Sequence, residues 1–93
     1  MEFEWDEAKR LFNLKKHSID FADVEEFDWI GAEFRDDQNA AYGEDRFSAV
    51  GYFRNRIHVV IFTLREAKTR IISFRPAVKR EIREYEKEKD QSR

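Results

Sequence analysis

One segment of the sequence, Ile57–Arg65, restricts the possible folds more than any other. It reads I-H-V-V-I-F-T-L-R, is apolar on both faces of an extended chain and is rich in β-branched residues, which is typical of a central strand covered on both sides. A turn of three residues, 66–68, leads from it into a second alternating segment, Thr69–Arg75. Strands joined by so short a turn must be antiparallel. The chain is therefore expected to build its core around this hairpin.

The rest of the chain predicts further strands and helices around the hairpin. Residues Glu2–Trp5 alternate like a short strand, and Asp6 is a suitable N-cap for a helix that ends near Lys16. The helix is inferred because Ala8, Leu11, Phe12 and Lys15 recur at i, i+3, i+4 and i+7. A second helix is expected to begin after Asp20 and to end before Gly31, with Phe21, Val24 and Phe27 buried. It is followed by a short strand at 32–36, a loop at 37–45 and a strand Arg46–Phe53. A last helix is expected to begin at about Pro76.

These elements predict an α+β fold in a single domain, residues 1–93. We expect a small antiparallel sheet, about four strands plus the short N-terminal one, with two N-terminal helices and one C-terminal helix. The lack of cysteine excludes a disulfide framework, and no apolar run approaches the roughly 18 residues of a membrane-spanning helix. The acidic start, M-E-F-E-W-D, is unlike a signal peptide. A cytoplasmic protein is therefore expected.

The charges are divided unevenly between the two halves of the chain. Residues 1–45 contain 14 acidic and 5 basic residues, whereas residues 46–93 contain 6 acidic and 13 basic ones. Halves of opposite sign favour a cationic partner for the first and an anionic partner for the second. Mutual attraction of the two halves within the fold explains the same pattern, and the sequence leaves both interpretations open.

The basic side chains concentrate where the last strand meets the last helix. If Arg65 faces Thr69 across the hairpin, Thr63 faces Ile71 and Ile61 faces Ser73, and facing residues point to the same side of a sheet. One sheet face then carries Thr63, Arg65, Ser73 and Arg75. The neighbouring arginines of the strand and helix are Arg70, Arg80 and Arg83. Guanidinium groups in such a patch are suited to phosphate oxygens, although a shift of one residue would move Arg65 to the other face.

Other interpretations of the polar residues are less specific. The arginines could instead form surface ion pairs with Glu66, Glu81 and Glu84, which are worth about 0–1 kcal/mol each. His58 lies in an apolar strand and is expected to be a core or rim residue, and His17 is expected to be a solvated helix end. A solvated loop is favoured over a metal site for the acids Asp36, Asp37, Glu44 and Asp45.

Several motifs, taken in order, resemble the BrnT-type toxins of type II toxin–antitoxin systems. They are F-E-W-D-E-A-K at 3–9, N-L-K-K-H at 13–17, D-F-A-D at 20–23, G-E-D-R-F at 43–47 and R-I-I-S-F-R-P-A at 70–77. The match covers almost the whole chain, and its last motif is the most specific. Ser18 departs from the pattern, because the family usually has glycine after the histidine.

The resemblance implies a RelE-like fold and a metal-independent endoribonuclease that inhibits translation, so no cofactor is expected. It also implies a BrnA-type antitoxin, a ribbon-helix-helix DNA-binding protein that forms a two-plus-two complex with the toxin and represses their operon. The family's basic positions correspond to Lys16, His17, Arg46, Arg65, Arg75 and Arg80.

The mechanism that follows is a hypothesis. The 2′-hydroxyl of RNA attacks the phosphate, Arg75 and Arg80 stabilise the charge with help from Arg65, and Glu81 or His17 takes the proton. RNA binding is assigned to Lys16, His17, Arg46, Arg70 and Arg83. Two alternatives stay open. In the first, the chain is a catalytically degenerate module that acts only as a corepressor with its antitoxin. In the second, it is a plain nucleic-acid-binding domain, although the sequence shows no exposed aromatic platform of the kind that binds single strands.

Overall fold

The computed structural model describes residues 1–37 and 45–91, and within them it confirms the α+β class. A five-stranded sheet has the strand order β1-β5-β4-β3-β2. The strands are β1 (Glu2–Trp5), β2 (Glu33–Asp36), β3 (Phe47–Phe53), β4 (Arg56–Arg65) and β5 (Lys68–Pro76), and the helices are α1 (Glu7–His17), a 3-10 helix (Phe21–Glu26) and α2 (Lys79–Gln91). Most of the loop predicted at 37–45 lies outside the described residues, which omit 38–44.

The β4–β5 hairpin lies at the centre of the sheet, as its sequence predicts. On one face of β4, Val60 and Phe62 join a core with the 3-10 helix, while Ile57 and Val59 belong to a second cluster on the opposite face. The first core is formed mainly by Phe21, Val24, Phe27, Phe53, Ile71 and Phe74. The second is closed by Ile82 and Tyr85 of α2. Burial on both faces therefore explains why β4 has no polar face over most of its length.

The sheet is mixed rather than wholly antiparallel. Strand β1 pairs with β5 in parallel, with Glu2 opposite Lys68 and Trp5 opposite Ile71, whereas the other neighbouring strands are antiparallel. The short turns that define the antiparallel pairs do not constrain β1, because its only connection leads through α1 to the 3-10 helix. The expectation of an antiparallel sheet is therefore wrong for this one strand.

The second predicted helix is a short 3-10 helix. Asp20 caps it as expected, because its carboxylate accepts a hydrogen bond from the amide of Ala22 at 2.9 Å. The helix does not continue towards Gly31, since the amide of Asp28 donates to the carbonyl of Tyr52 on β3 at 2.9 Å. The indole of Trp29 donates to the carbonyl of Val24 at 3.0 Å, so tertiary hydrogen bonds replace those of further helical turns.

Helix α1 turns polar side chains inward. Its inward stripe consists of Arg10, Asn13 and His17, whereas Leu11 is 53% exposed and Phe12 is 68% exposed. The residues whose spacing predicts the helix therefore face outward. The reason is that α1 lies along a strand edge, where backbone groups need hydrogen-bond partners, rather than over an apolar sheet face.

The side chain of Asn13 provides those partners. Strand β1 pairs with β5 only as far as Ile71, and beyond it the edge of β5 faces α1. The Asn13 amide nitrogen donates to the carbonyl of Phe74 at 2.8 Å and of Ile19 at 3.0 Å. The amide of Phe74 donates back to the Asn13 oxygen at 3.1 Å. One buried asparagine therefore continues the hydrogen bonding of the sheet where β1 ends.

The end of α1 accommodates Ser18 in a left-handed conformation. Ser18 has φ 59° and ψ 29°, and its amide donates to the carbonyl of Leu14 at 2.8 Å. This is the helix-end geometry that glycine adopts with least strain. The turn into the 3-10 helix is therefore formed by serine in a conformation that suits glycine.

We expect the substitution Asn13→Leu to lower the free energy of unfolding by about 2–4 kcal/mol, because buried backbone groups of Phe74 and Ile19 would lose their partners. Urea unfolding followed by circular dichroism measures the change. Lys15→Leu introduces the same side chain at an exposed position of α1 and should shift stability by no more than about 0.5 kcal/mol. Equal effects of the two substitutions would contradict the role given to Asn13.

Candidate functional site

An open part of the sheet face next to α2 forms a cleft of about 560 Å³. Among the described residues, four arginines line it: Arg35, Arg46, Arg75 and Arg80. We call this site the arginine cleft. Arg35 lies on β2, Arg75 on β5 and Arg80 at the start of α2, and Arg46 directly precedes β3. The side chains of Ser48, Ile61 and Ser73 form part of its floor. Guanidinium groups from several elements therefore converge on one surface.

An irregularity in β5 changes the predicted register. Ile61 faces Ser73 as expected, but Phe62 faces Ile71, so Ile72 is an extra residue in β5. Beyond this bulge Thr63 faces Arg70 and Arg65 faces Lys68. The predicted pairs Thr63–Ile71 and Arg65–Thr69 are therefore wrong.

Arg65 lies outside the arginine cleft. Arg75 faces Val59 in the sheet, and Arg65 is six residues further along β4, which corresponds to about 20 Å at the rise of a strand. Arg65 is exposed at the tip of the hairpin. The structure brings Arg75 and Arg80 together but does not bring Arg65 to them.

A bidentate ion pair in the cleft joins Arg75 to Glu81. The two guanidinium nitrogens of Arg75 donate to the two carboxylate oxygens of Glu81 at 2.8 and 2.9 Å. Glu81 also accepts a hydrogen bond from the amide of Val78 at 2.9 Å, which satisfies the first turn of α2. The Arg75 hydrogen bonds lower the pKa of Glu81, and Glu81 in turn raises the pKa of Arg75. The pair fixes the position of Arg75 relative to α2.

Two other arginines of the cleft, Arg35 and Arg80, share Glu84 as a carboxylate partner. Arg80 is 73% exposed, and its Nε lies 3.9 Å from an oxygen of Glu84. The second oxygen of Glu84 lies 2.5 Å from the guanidinium of Arg35. Arginines of the cleft therefore form ion pairs with Glu81 and Glu84. Such pairs are the interpretation that the sequence left open as an alternative to phosphate binding. Arg35 was not among the predicted site residues, because a four-residue edge strand gives little periodicity to read.

The remaining predicted RNA-binding arginines occupy different places. Arg46 is half-buried and lines the cleft, and its carbonyl accepts a hydrogen bond from the amide of Asp37 at 2.8 Å. Arg70 pairs with Glu4 of β1 at 2.5 Å, and Arg83 is exposed on α2 outside the residues that line the cleft. Only Arg46 of these three therefore contributes to the arginine cleft.

A second depression of about 390 Å³ lies between α1 and β5. Lys9, Phe12, Lys16 and His17 are among its lining residues, and we call it the α1 groove. It shares Ile72 and Ser73 with the arginine cleft, so the two depressions adjoin across the β5 bulge. Lys16 and His17 are therefore placed beside the cleft, although on a different element.

The environment of His17 favours a neutral imidazole. Burial lowers the pKa of His17, and the positive charges of Lys16 and Arg75 lower it further. His17 lines the α1 groove together with Ser73, which also lines the arginine cleft. A half-buried histidine therefore replaces the solvated helix end that the sequence predicts.

The exposed ring of Phe12 corrects the expectation that the chain has no exposed aromatic platform. In the structure the ring is exposed, and the ammonium of Lys16 lies 5.8 Å from its centroid. An aromatic surface is thus present next to basic side chains.

His58 is a core residue, as predicted. It is 6% exposed, its Nδ1 lies 2.8 Å from the carbonyl of Arg56, and its ring contacts the rings of Phe53 and Phe74. In the part of the chain that the structure describes, no three histidine or carboxylate side chains are grouped to hold a metal ion. No helix within the same residues is long and apolar enough to cross a membrane.

Ion pairs between the two halves of the chain account for part of the charge asymmetry. Basic residues of the second half, Arg54, Arg70 and Lys89, pair with acidic residues of the first half. The acids are Asp23 and Glu26 with Arg54, Glu4 with Arg70, and Glu33 with Lys89. The attraction between the halves, left open by the sequence, therefore operates within the fold.

A family model described as the ribonuclease toxin BrnT of type II toxin–antitoxin systems matches residues 5–81. The matched range includes α1, the whole β4–β5 hairpin, Arg75 and the first turn of α2 as far as Glu81. Among curated proteins, no significant match to the chain is found.

The Arg75–Glu81 pair makes a prediction about stability and pH. Glu81→Gln should lower the free energy of unfolding at pH 7 by about 1–3 kcal/mol, because a hydrogen-bonded charge is lost. Folding lowers the pKa of Glu81 from its ordinary value of 4.5, so the stabilisation is complete above that value. It is lost as the pH falls through the folded-state pKa.

Urea unfolding over a series of pH values measures this effect. The difference between the parent protein and Glu81→Gln should shrink as the pH falls below 4.5. Glu86→Gln, an exposed position of the same helix, is the matched control and should show little difference. A loss of stability in Glu81→Gln that is the same at pH 3 as at pH 7 would contradict the assignment.

Proposed function

Because the chain belongs to the BrnT family of type II ribonuclease toxins, we propose that it cuts RNA in the arginine cleft. The cut requires no metal ion, and it inhibits translation by destroying RNA. The observation that carries the proposal is the convergence of Arg35, Arg46, Arg75 and Arg80 on one open sheet face, next to a histidine whose pKa is lowered.

The proposed reaction uses the nucleophile that RNA itself supplies. The 2′-hydroxyl loses its proton to a base of the protein, and its oxygen forms a bond to the adjacent phosphorus. The bond from phosphorus to the 5′ oxygen breaks, and that oxygen takes a proton from solvent. The products are a 2′,3′-cyclic phosphate and a 5′-hydroxyl. The task of the protein is to take the first proton and to stabilise charge on the phosphate oxygens.

Arg75 and Arg80 are proposed to stabilise that charge in different ways. Arg75 is held by both oxygens of Glu81, but a guanidinium has five N–H donors, so further donors remain for a phosphate oxygen. A donor that is already oriented loses little freedom when the phosphate becomes more charged. Arg80 is mostly exposed and lies 3.9 Å from its carboxylate neighbour, so it can move onto the substrate.

His17 is the better candidate for the general base. Both oxygens of Glu81 accept hydrogen bonds, and its pKa is lowered, which makes the carboxylate a poor proton acceptor. The pKa of His17 is lowered as well, but for an imidazole this means that the neutral, accepting form predominates at pH 7. Glu81 is therefore proposed as a positioning residue for Arg75.

A type II toxin family implies an antitoxin partner. We assign to this chain a BrnA-type ribbon-helix-helix antitoxin, a two-plus-two complex that represses the shared operon, and a fold of the RelE-like type. The exposed carboxylate of Glu25 on the 3-10 helix supports the proposal that a cationic segment of the antitoxin binds there. Its neighbours Asp23 and Glu26 are already paired with Arg54.

We expect Arg75→Ala and Arg80→Ala each to reduce the rate of RNA cleavage by about 100-fold, because each removes a donor that stabilises the transition state. The measurement is cleavage of a defined RNA by the purified protein, with the ends mapped for a 2′,3′-cyclic phosphate. Arg65→Ala removes the same charge about 20 Å away along the sheet and should leave the rate close to that of the parent protein.

Two results would change this assignment. If Arg75→Ala and Arg80→Ala cut RNA at the parental rate, the cleft is not the active site. If the parent protein does not cut RNA and does not arrest growth when expressed alone, but still binds its antitoxin, the chain is the degenerate corepressor that the sequence left open.

The charge next to His17 makes a prediction about the pH dependence of the rate. Lys16 lowers the pKa of His17, so Lys16→Gln should raise it and move the acid limb of the profile of kcat against pH to higher pH. Lys15→Gln, on the neighbouring exposed position of α1, should leave the limb in place. Identical limbs for the parent protein and Lys16→Gln would argue against His17 as the base.

A further inference from the structure

We propose that the α1 groove is a nucleotide subsite in which one base of single-stranded RNA stacks on the ring of Phe12 while Lys9 and Lys16 contact its phosphates. The inference rests on the proposed function, because the same RNA strand would continue into the arginine cleft. It gives the cleft a neighbouring subsite of defined chemistry, an aromatic platform flanked by cations.

The position of Phe12 is the first support. Its ring is 68% exposed on a helix whose inward stripe is polar. A single exposed apolar side chain is common on protein surfaces, so the exposure of Phe12 supports a ligand site only together with the groove that its ring lines. Phe12 lines the α1 groove, whereas Leu11, which is also exposed on α1, does not. The ring, rather than the whole apolar surface of the helix, therefore belongs to a concave site.

The charges around the ring are the second support. Lys9 and Lys16 flank Phe12 at one helical turn on either side, and both line the groove. Among the described residues, no carboxylate lines it. An aromatic face beside ammonium groups suits a nucleotide, because the base has a π-face and the backbone carries negative charge. An apolar or basic protein segment would leave the two lysines without complementary charge.

The connection to the arginine cleft is the third support. Ile72, the extra residue of the β5 bulge, and Ser73 line both depressions. A strand with its reactive phosphate near Arg75 and Arg80 would therefore place an adjacent nucleotide over the edge of β5. The volume of the groove, about 390 Å³, lies in the range of about 300–1,000 Å³ typical of small-molecule sites, which is sufficient for one base and its sugar.

The test is the binding of a short RNA whose 2′-hydroxyls are all methylated, so that it cannot be cut. Fluorescence anisotropy gives the Kd for the parent protein and three variants. Phe12→Ala should weaken binding by about 5- to 100-fold, the range expected for loss of one stacked base. Phe12→Tyr retains the ring and should restore binding. Leu11→Ala removes a neighbouring exposed apolar side chain and should bind like the parent protein.

Two further measurements distinguish loss of base stacking from other causes of weaker RNA binding. The slope of log Kd against log salt should be unchanged in Phe12→Ala, because no charge is removed. An abasic nucleotide is then introduced at each position of the RNA in turn. At one position, and there only, the parent protein and Phe12→Ala should bind equally, since the base that would stack is absent.

The proposal is overturned if Phe12→Ala binds the methylated RNA as tightly as the parent protein, or if its loss of affinity is the same at every abasic position. It is also overturned if Phe12→Ala and Leu11→Ala both abolish copurification with the antitoxin while RNA binding persists, since the exposed face of α1 is then a protein interface. The proposed function is judged separately, because its test is cleavage of unmodified RNA by the parent protein.

Discussion

The hydrogen bonds between Asn13 and Phe74 are the contact on which the arrangement of both depressions depends. Strand β1 is only four residues long, so the outer edge of β5 would be left with buried, unpaired backbone groups beyond Ile71. Such groups are costly, and an apolar helix face cannot satisfy them. The helix that covers this edge must therefore present a polar side chain inward. In α1 that requirement turns Leu11 and Phe12 outward.

The same edge determines how the two depressions meet. Because α1 lies beside β5, and α2 covers only part of the opposite sheet face, the bulge at Ile72 remains accessible between them. A bulge bends a strand and increases its local twist. Here it lies between the arginines of the cleft and the basic residues that end α1. The way in which α1 covers the edge of β5 thus explains both the accessible bulge at Ile72 and the exposed ring of Phe12.

The sequence predicts the hairpin well and the polar details poorly, for identifiable reasons. Strand β4 is apolar on both faces, a pattern that leaves no alternative to a central position. The bulge could not be located because Ile71 and Ile72 are both apolar, so the alternation does not mark which of them is the extra residue. The misplacement of Arg65 follows from that single uncertainty. For α1, periodicity identified the helix but not the side that it buries, because its neighbour is the backbone edge of a strand rather than an apolar surface.

The pairing of arginines with carboxylates explains how a chain with a net charge of −2 can form the cleft that we propose as the site for a phosphodiester. Long-range attraction depends on net charge, but stabilisation of a transition state depends on donors that are already in place. Glu81 offsets much of the charge of Arg75 and fixes its orientation, while Arg80 at the start of α2 is mostly exposed and lies 3.9 Å from its carboxylate partner. The cleft thereby combines one oriented and one adaptable guanidinium. Under the proposed function, selection of a phosphodiester would rely on the geometry of these donors more than on the overall charge of the protein.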